Sequence, residues 1–161
     1  MDTNTSPKIF LVDDEPYCLC LYEQYVRNLG YKDVHLFGKS VDCLNQLTLQ
    51  PDVVFLDYNM DNLNGIDILK KIKRFDPNIM VFFVSGQEAI NIAVNALKYG
   101  AFDYIIKQDI SEAQMKGCMD KVEKVKELLA KRKNQGLIKK LLSAVGISSV
   151  IYFLQKLLSK T

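Results

Sequence analysis

The chain has 161 residues, 48% of them hydrophobic, enough for one ordinary domain with a proper core and an appendage. Its 21 Lys and Arg stand against 19 Asp and Glu, a net charge of +2, which excludes the strongly basic footprint of a nucleic-acid binder. The balance is uneven: residues 136–161 hold four lysines (Lys139, Lys140, Lys156, Lys160) and no acid, leaving 17 basic and 19 acidic side chains before them, a net of −2.

The opening "MDTNTSPK" lacks the basic and apolar segments of a signal peptide. Residues 1–7 are expected to be disordered and the protein cytoplasmic. From Lys8 onward, short apolar runs alternate with helical spacing. The first run, "KIFLV" (8–12), ends on Asp13, Asp14 and Glu15, and Leu19, Tyr22, Val26 and Leu29 then mark a helix closed by Gly30. "DVHLF" (33–37) precedes a helix marked by Val41, Leu44 and Leu47, and contains the only histidine, His35, read as structural. Pro51 leads into "DVVFL" (52–56), which ends on Asp57; Ile66, Leu69 and Ile72 follow at helical spacing. Pro77 leads into "IMVFFV" (79–84), which ends on Ser85, with Ile90, Val94 and Leu97 marking the fourth helix and Gly100 closing it. "FDYII" (102–106) ends on Lys107. Strands alternating with helices predict an α/β fold whose parallel sheet is covered on both faces. Cys18, Cys20, Cys43 and Cys118 form no C-x-x-C pair and read as buried, reduced thiols.

In open parallel sheets, ligands bind outside the carboxyl ends of the strands at a topological switch point. There this chain would gather Asp13, Asp14, Asp57, Ser85 and Lys107. Adjacent carboxylates repel, and a hard cation such as Mg²⁺ relieves that repulsion through oxygen ligands. A carboxylate at the end of a central strand can serve as the nucleophile that becomes an aspartyl phosphate. A lysine and a hydroxyl can then neutralise and hydrogen-bond the phosphoryl oxygens.

With "LVDDEP" (11–16), "DVVFLDYNMDNLNG" (52–65), "VFFVSG" (81–86) and "GAFDYIIK" (100–107), the chain resembles the receiver domain of bacterial two-component response regulators, of the chemotaxis-regulator type. The resemblance covers residues 8–131. It implies a flavodoxin-like five-stranded parallel sheet of order 2-1-3-4-5 with helices on both faces. Carried over, Asp57 is the phosphoacceptor, and Asp13, Asp14, Asp57 and the Asn59 carbonyl hold Mg²⁺. Ser85 and Lys107 assist catalysis, Ser85 and Tyr104 act as switch residues, and Asn59 and Gln87 tune dephosphorylation. The implied partner is a sensor histidine kinase or a histidine phosphotransfer protein, and the implied role is phosphorelay signalling rather than turnover of an external substrate. Two positions depart from the family pattern: Asp61 and Gln108 stand where prolines are usual. Gln108 is therefore expected to send the loop after the fifth strand along a different path.

Two rivals follow. A haloacid-dehalogenase-like phosphatase also uses an aspartyl nucleophile, but typically has a second aspartate where this chain has Asn59, and a cap domain. The other is a degenerate receiver acting as a phosphorylation-independent dimerisation or membrane-surface module, for which Asp61 and Gln108 speak.

A fifth helix is predicted from about Ser111, with Met115, Cys118, Val122, Val125 and Leu129 spaced as a short coiled-coil seam. "NQG" (134–136) reads as its stop. Residues 132–161 are expected to form an amphipathic helical tail with apolar faces at 137–145 and 150–158. The uncharged stretch 141–155 falls short of the ~20 residues that span a bilayer. Self-association through the last helix and tail is the favoured role, and a membrane-surface contact is the second. Direct DNA binding is not expected, because some 26 residues hold no independent core.

Overall fold

The five apolar runs become the strands of one parallel sheet: β1 (Ile9–Val12), β2 (Val34–Phe37), β3 (Val53–Asp57), β4 (Met80–Ser85) and β5 (Asp103–Ile106). The computed structural model describes residues 6–60, 63–86 and 90–145. Helices α1 (Pro16–Asn28), α2 (Ser40–Asn45), α3 (Gly65–Phe75), α4 (Ile90–Lys98) and α5 (Glu112–Val145) complete the alternation. The strand order is β2-β1-β3-β4-β5, so the chain reverses its direction of travel across the sheet after β2. That reversal opens the switch-point crevice between β1 and β3.

Side chains alternate across a strand, and both faces of this sheet are covered. Phe10, Val12, Val54, Leu56, Val81 and Phe83 pack with Cys43 of α2, Ile66, Leu69 and Ile72 of α3, and Ala96 of α4. The intervening Ile9, Leu11, Val53, Phe55 and Phe82 are equally buried. Their face is left to α1 and α5, whose Leu19, Tyr22, Val26, Met115, Cys118, Met119 and Val122 are buried as well. The Asn28 side-chain amide donates to Glu112 at 2.7 Å, tying the end of α1 to the start of α5. Phe55 stacks on Phe82 with centroids 4.9 Å apart. Each such buried ring contributes on the order of 1.5–3 kcal/mol.

Strand register carries this core order into the site. Val12 pairs with Leu56, Asp57 with Val84, and Ser85 with Ile106. Asp13, Asp57, Ser85 and Lys107 therefore leave the sheet along one edge. Gly30 and Gly100 have φ of +96° and +92°, and each ends its helix as the sequence predicts. In both cases the glycine N–H and the next residue's N–H cap the last turn: Gly30 to Arg27 and Tyr31 to Val26, Gly100 to Leu97 and Ala101 to Ala96.

Several expectations are corrected. Val41, Val94 and Leu97, expected as core markers, are 52%, 56% and 51% exposed, while Cys43 and Ala96 are buried in their place. Helices with apolar residues on more than one face leave the phase of the pattern open, and packing against the sheet selects the smaller residues. Cys18 is half-buried and Cys20 exposed, so only Cys43 and Cys118 match the reading of buried thiols. "NQG" does not stop α5, which continues through Gly136 to Val145. A lone glycine costs a helix about 1 kcal/mol, less than proline, and good helix formers follow it.

Contacts divide the chain into a unit spanning Asn4–Val122 and a second unit that takes in α5 from Glu123. In the first, the leading seam positions Met115, Cys118 and Val122 belong to the domain's own core. In the second, Leu128 and Leu129 are exposed and Lys131 pairs with Glu127 at 2.6 Å. The side chains of 137–145 and all of 146–161, where the apolar tail faces are expected, lie outside the described residues, as do Asp61, Gln87 and residues 1–5. Among the described residues, no helix is long and apolar enough to cross a membrane.

Candidate functional site

Asp13 is the first residue past β1 and is fully buried; Asp57 closes β3 and is 2% exposed. Asp14 lies beside them on the surface, and ligand oxygens of Asp13, Asp14 and Asp57 all fall within 4.8 Å of one another. Local backbone holds both buried carboxylates in place. Asp13 Oδ1 accepts the Glu15 N–H at 2.9 Å in the turn that leads to Pro16 and α1. Asp57 Oδ2 accepts the Asn59 N–H at 3.0 Å.

Lys107 supplies the counter-charge. Its Nζ lies 2.9 Å from Asp13 Oδ2, 3.1 Å from Asp13 Oδ1, 3.4 Å from Asp57 Oδ1 and 3.1 Å from Glu15 Oε1. Gln108 thus does not pull Lys107 away. The described residues contain no cis peptide bond, and Lys107–Asp109 form a 3₁₀ turn that starts where β5 ends.

The electrostatics follow from burial. Burial pushes Asp57 up to about 6, and the Asp13 charge adds to it, while Lys107 and the Asn59 N–H pull the other way. Burial likewise raises Asp13 above the usual carboxylate range, against Lys107 and the Glu15 N–H. For Lys107, burial works against the charge, but the hydrogen bond to Asp13 and the nearby Asp57 outweigh it, and its pKa stands above that of an ordinary lysine. One ammonium thus faces two buried carboxylates, Asp13 and Asp57, with Asp14 and Glu15 at the rim.

The donor set fits a hard divalent cation. Asp13 Oδ2 is buried, lies within ion-pair distance of Lys107 and accepts no hydrogen bond among the described residues. Three oxygen-donor side chains with one such orphan suit Mg²⁺, which takes a few carboxylates and completes its shell with waters and phosphate oxygens.

The other predicted residues are placed as follows. Ser85 is fully buried at the last position of β4, one residue beyond the pairing partner of Asp57. Tyr104 is half-buried in β5 and packs at the rim of the core. Asn59 is exposed beside Asp57 and pairs with Asn64 in a two-residue antiparallel ladder. His35 is remote from the site, against Phe10 and paired with Asp33 at 2.8 Å.

Two further residues, Gly65 and Glu15, support the site. Gly65 opens α3 where its backbone meets the residues around Asp57. A Cβ there would lie 2.9 Å from Tyr58 Cα and 3.0 Å from the Asp57 carbonyl oxygen. The Gly65 N–H donates to Tyr58 O at 3.2 Å, and Asn64 Oδ1 caps the helix by accepting from the Ile66 N–H. The pair "NG" at a helix start was the available signal. Glu15 binds Lys107 across 92 residues of sequence, a contact for which local pattern holds no signal.

Residues 9–120 match the family model described as the response regulator receiver domain. The chemotaxis protein CheY of Thermotoga maritima is 31% identical over 103 residues, 62% of this chain and 84% of that protein. The luminescence regulatory protein LuxO of Vibrio campbellii is 30% identical over 98 residues, 60% of this chain. The chain spans only 21% of that relative's length. Among solved structures, a receiver domain protein from Clostridium thermocellum superposes with a TM-score of 0.70 at 29% identity, covering 76% of this chain and 98% of the other.

Proposed function

The chain belongs to the response regulator receiver domain family of two-component signalling, and we propose that it accepts a phosphoryl group on Asp57 from a phosphohistidine of a sensor kinase or phosphotransfer protein. The observation that carries this reading is the convergence of Asp13, Asp57 and Lys107, with Lys107 Nζ 2.9 Å from one carboxylate and 3.4 Å from the other. An Asp57 carboxylate oxygen attacks phosphorus, the P–N bond breaks, and the imidazole leaves with the electron pair and takes up a proton. With a pKa of about 6 the carboxylate is mostly ionised at neutral pH, as a nucleophile must be.

Asp13, Asp14, Asp57 and the Asn59 carbonyl would hold Mg²⁺, which supplies charge neutralisation for the phosphoryl oxygens. The Asn59 N–H fixes Asp57 Oδ2, which keeps the carboxylate from rotating. Lys107 neutralises charge that develops on the transferred group. Ser85, at the neighbouring strand end, is the hydroxyl that would follow the phosphoryl group, with Tyr104 responding in β5. Signalling then proceeds through changed protein–protein contact, and the only chemistry is the domain's own phosphorylation and dephosphorylation.

Incubation with acetyl phosphate and Mg²⁺ followed by intact mass tests this reading. The wild type is expected to gain one phosphoryl group that hydroxylamine or alkali removes, as from an acyl phosphate, and Asp57→Asn none. An unmodified wild type, or an adduct that persists in Asp57→Asn, sinks it. The exposed Leu128 and Leu129 of α5 support a lesser proposal, that this helix pairs with a second copy. If the full chain and one ending at Gln135 are both monomers, at all concentrations and phosphorylation states, that proposal is refuted.

A further inference from the structure

We propose that Glu15 is a positioning residue that holds Lys107 in a resting pose and competes with the incoming phosphoryl group for its ammonium. This rests on Asp57 being the phosphoacceptor. Lys107 Nζ hydrogen-bonds Glu15 Oε1 and Asp13 Oδ1, each at 3.1 Å, while Asp57 Oδ1 is its longest carboxylate contact at 3.4 Å. An ammonium has three N–H donors, and in this arrangement two serve carboxylates other than the one to be phosphorylated.

Glu15 is itself oriented for this contact. Its second oxygen, Oε2, accepts from the Cys18 thiol at 3.5 Å, one turn into α1. The Lys107 hydrogen bond and charge hold the Glu15 carboxyl below the usual range.

The three arms of the grip differ in what their release costs. The Asp13 and Asp57 side chains are 1% and 2% exposed, whereas Glu15 is 63% exposed. Releasing Asp13 would strand a buried charge. Releasing Glu15 returns a carboxylate to water, the modest loss typical of a surface pair. As phosphoryl oxygens arrive at Asp57 and draw the Lys107 N–H groups toward them, the Glu15 contact is the one that breaks. Glu15 thus weakens the phosphorylated state relative to the resting one without touching the reacting atoms.

The test is the affinity of beryllofluoride, in the presence of Mg²⁺, measured by ¹⁹F NMR for wild type, Glu15→Gln, Lys107→Gln and the double variant. Binding stays measurable in the Lys107→Gln background by raising the ligand concentration. Glu15→Gln is expected to bind about two- to five-fold more tightly than wild type, the size of an exposed ion pair. With Lys107→Gln in place, Glu15→Gln is expected to change nothing. Unchanged or weaker binding in Glu15→Gln overturns the proposal. So does equal tightening in both backgrounds, which would make Glu15 a plain repulsive charge. Failure of the wild type itself to bind beryllofluoride counts against the phosphoacceptor reading instead.

Discussion

The two ends of the sheet use the same residue types to opposite effect. At the amino end, Lys8 leads into β1; its ammonium donates to the Leu49 carbonyl at 2.8 Å and lies 3.9 Å from Asp33, with water reaching both side chains. Asp52, on the approach to β3, accepts the Lys8 backbone N–H at 2.8 Å. At the carboxyl end, Lys107 faces Asp13 and Asp57 with almost no water around either carboxylate. The first arrangement seals the bottom of a fold. The second keeps net negative charge inside the protein, and an oxygen with no hydrogen bond, where a cation and a phosphoryl group would relieve it. Burial makes the difference, since in low dielectric an imbalance of charge becomes a driving force.

The sharpest way to break this comparison is to remove each lysine. Lys107→Gln leaves two buried carboxylates without their counter-charge and is expected to destabilise the Mg²⁺-free protein at pH 7 by about 3 kcal/mol in urea unfolding. The loss should shrink at pH 5, where Asp57 is largely protonated. A loss under about 1 kcal/mol would place the carboxyl end in the same class as the amino end.

Next in size is Gly65→Ala. The added Cβ would meet the Tyr58 backbone at 2.9 Å, where nothing flexible can yield, and overpacking of this kind costs about 1–3 kcal/mol. Because the strain falls beside Asp57, acetyl phosphate labelling should slow as well. Gly117→Ala is the control: a Cβ there meets nothing within 4 Å, and in a helix interior alanine should add up to about 1 kcal/mol.

A third, smaller effect separates the two ends by pH. With its folded pKa raised from 3.8 to about 6, Asp57 contributes stability that is full below pH 3.8 and is lost as the pH rises through about 6. In Mg²⁺-free buffer this group should leave the wild type about 1 kcal/mol less stable at pH 7 than at pH 5, relative to the same difference in Asp57→Asn. Parallel slopes for the two proteins would contradict the buried-charge account. The smallest effect belongs to Lys8→Gln, a change within about 1 kcal/mol, as for other exposed pairs.

Much of this molecule is written in local pattern. Five apolar runs, two helix-ending glycines and the ordered placement of Asp13, Asp14, Asp57, Ser85 and Lys107 at strand ends are legible in the sequence alone. Alternation and strand-end position are properties of neighbouring residues, and a parallel sheet turns them into proximity. Where two outcomes share one pattern, the sequence stays silent. Val94 and Leu97 obey helical spacing as well as Ala96 does, yet the sheet takes Ala96. Met115, Cys118 and Val122 fit a coiled-coil seam, yet they are buried in the domain's own core.

By itself, then, the sequence determined the elements, their order and the identity of the chemistry-bearing side chains, because these rest on period and position along the chain. Only the tertiary structure decided that Glu15 reaches Lys107, that Gly65 alone fits behind Asp57, and that α5 runs through Gly136. The first two are settled by contacts that local pattern does not announce, and the third by a glycine cost too small to end a helix that good helix formers continue.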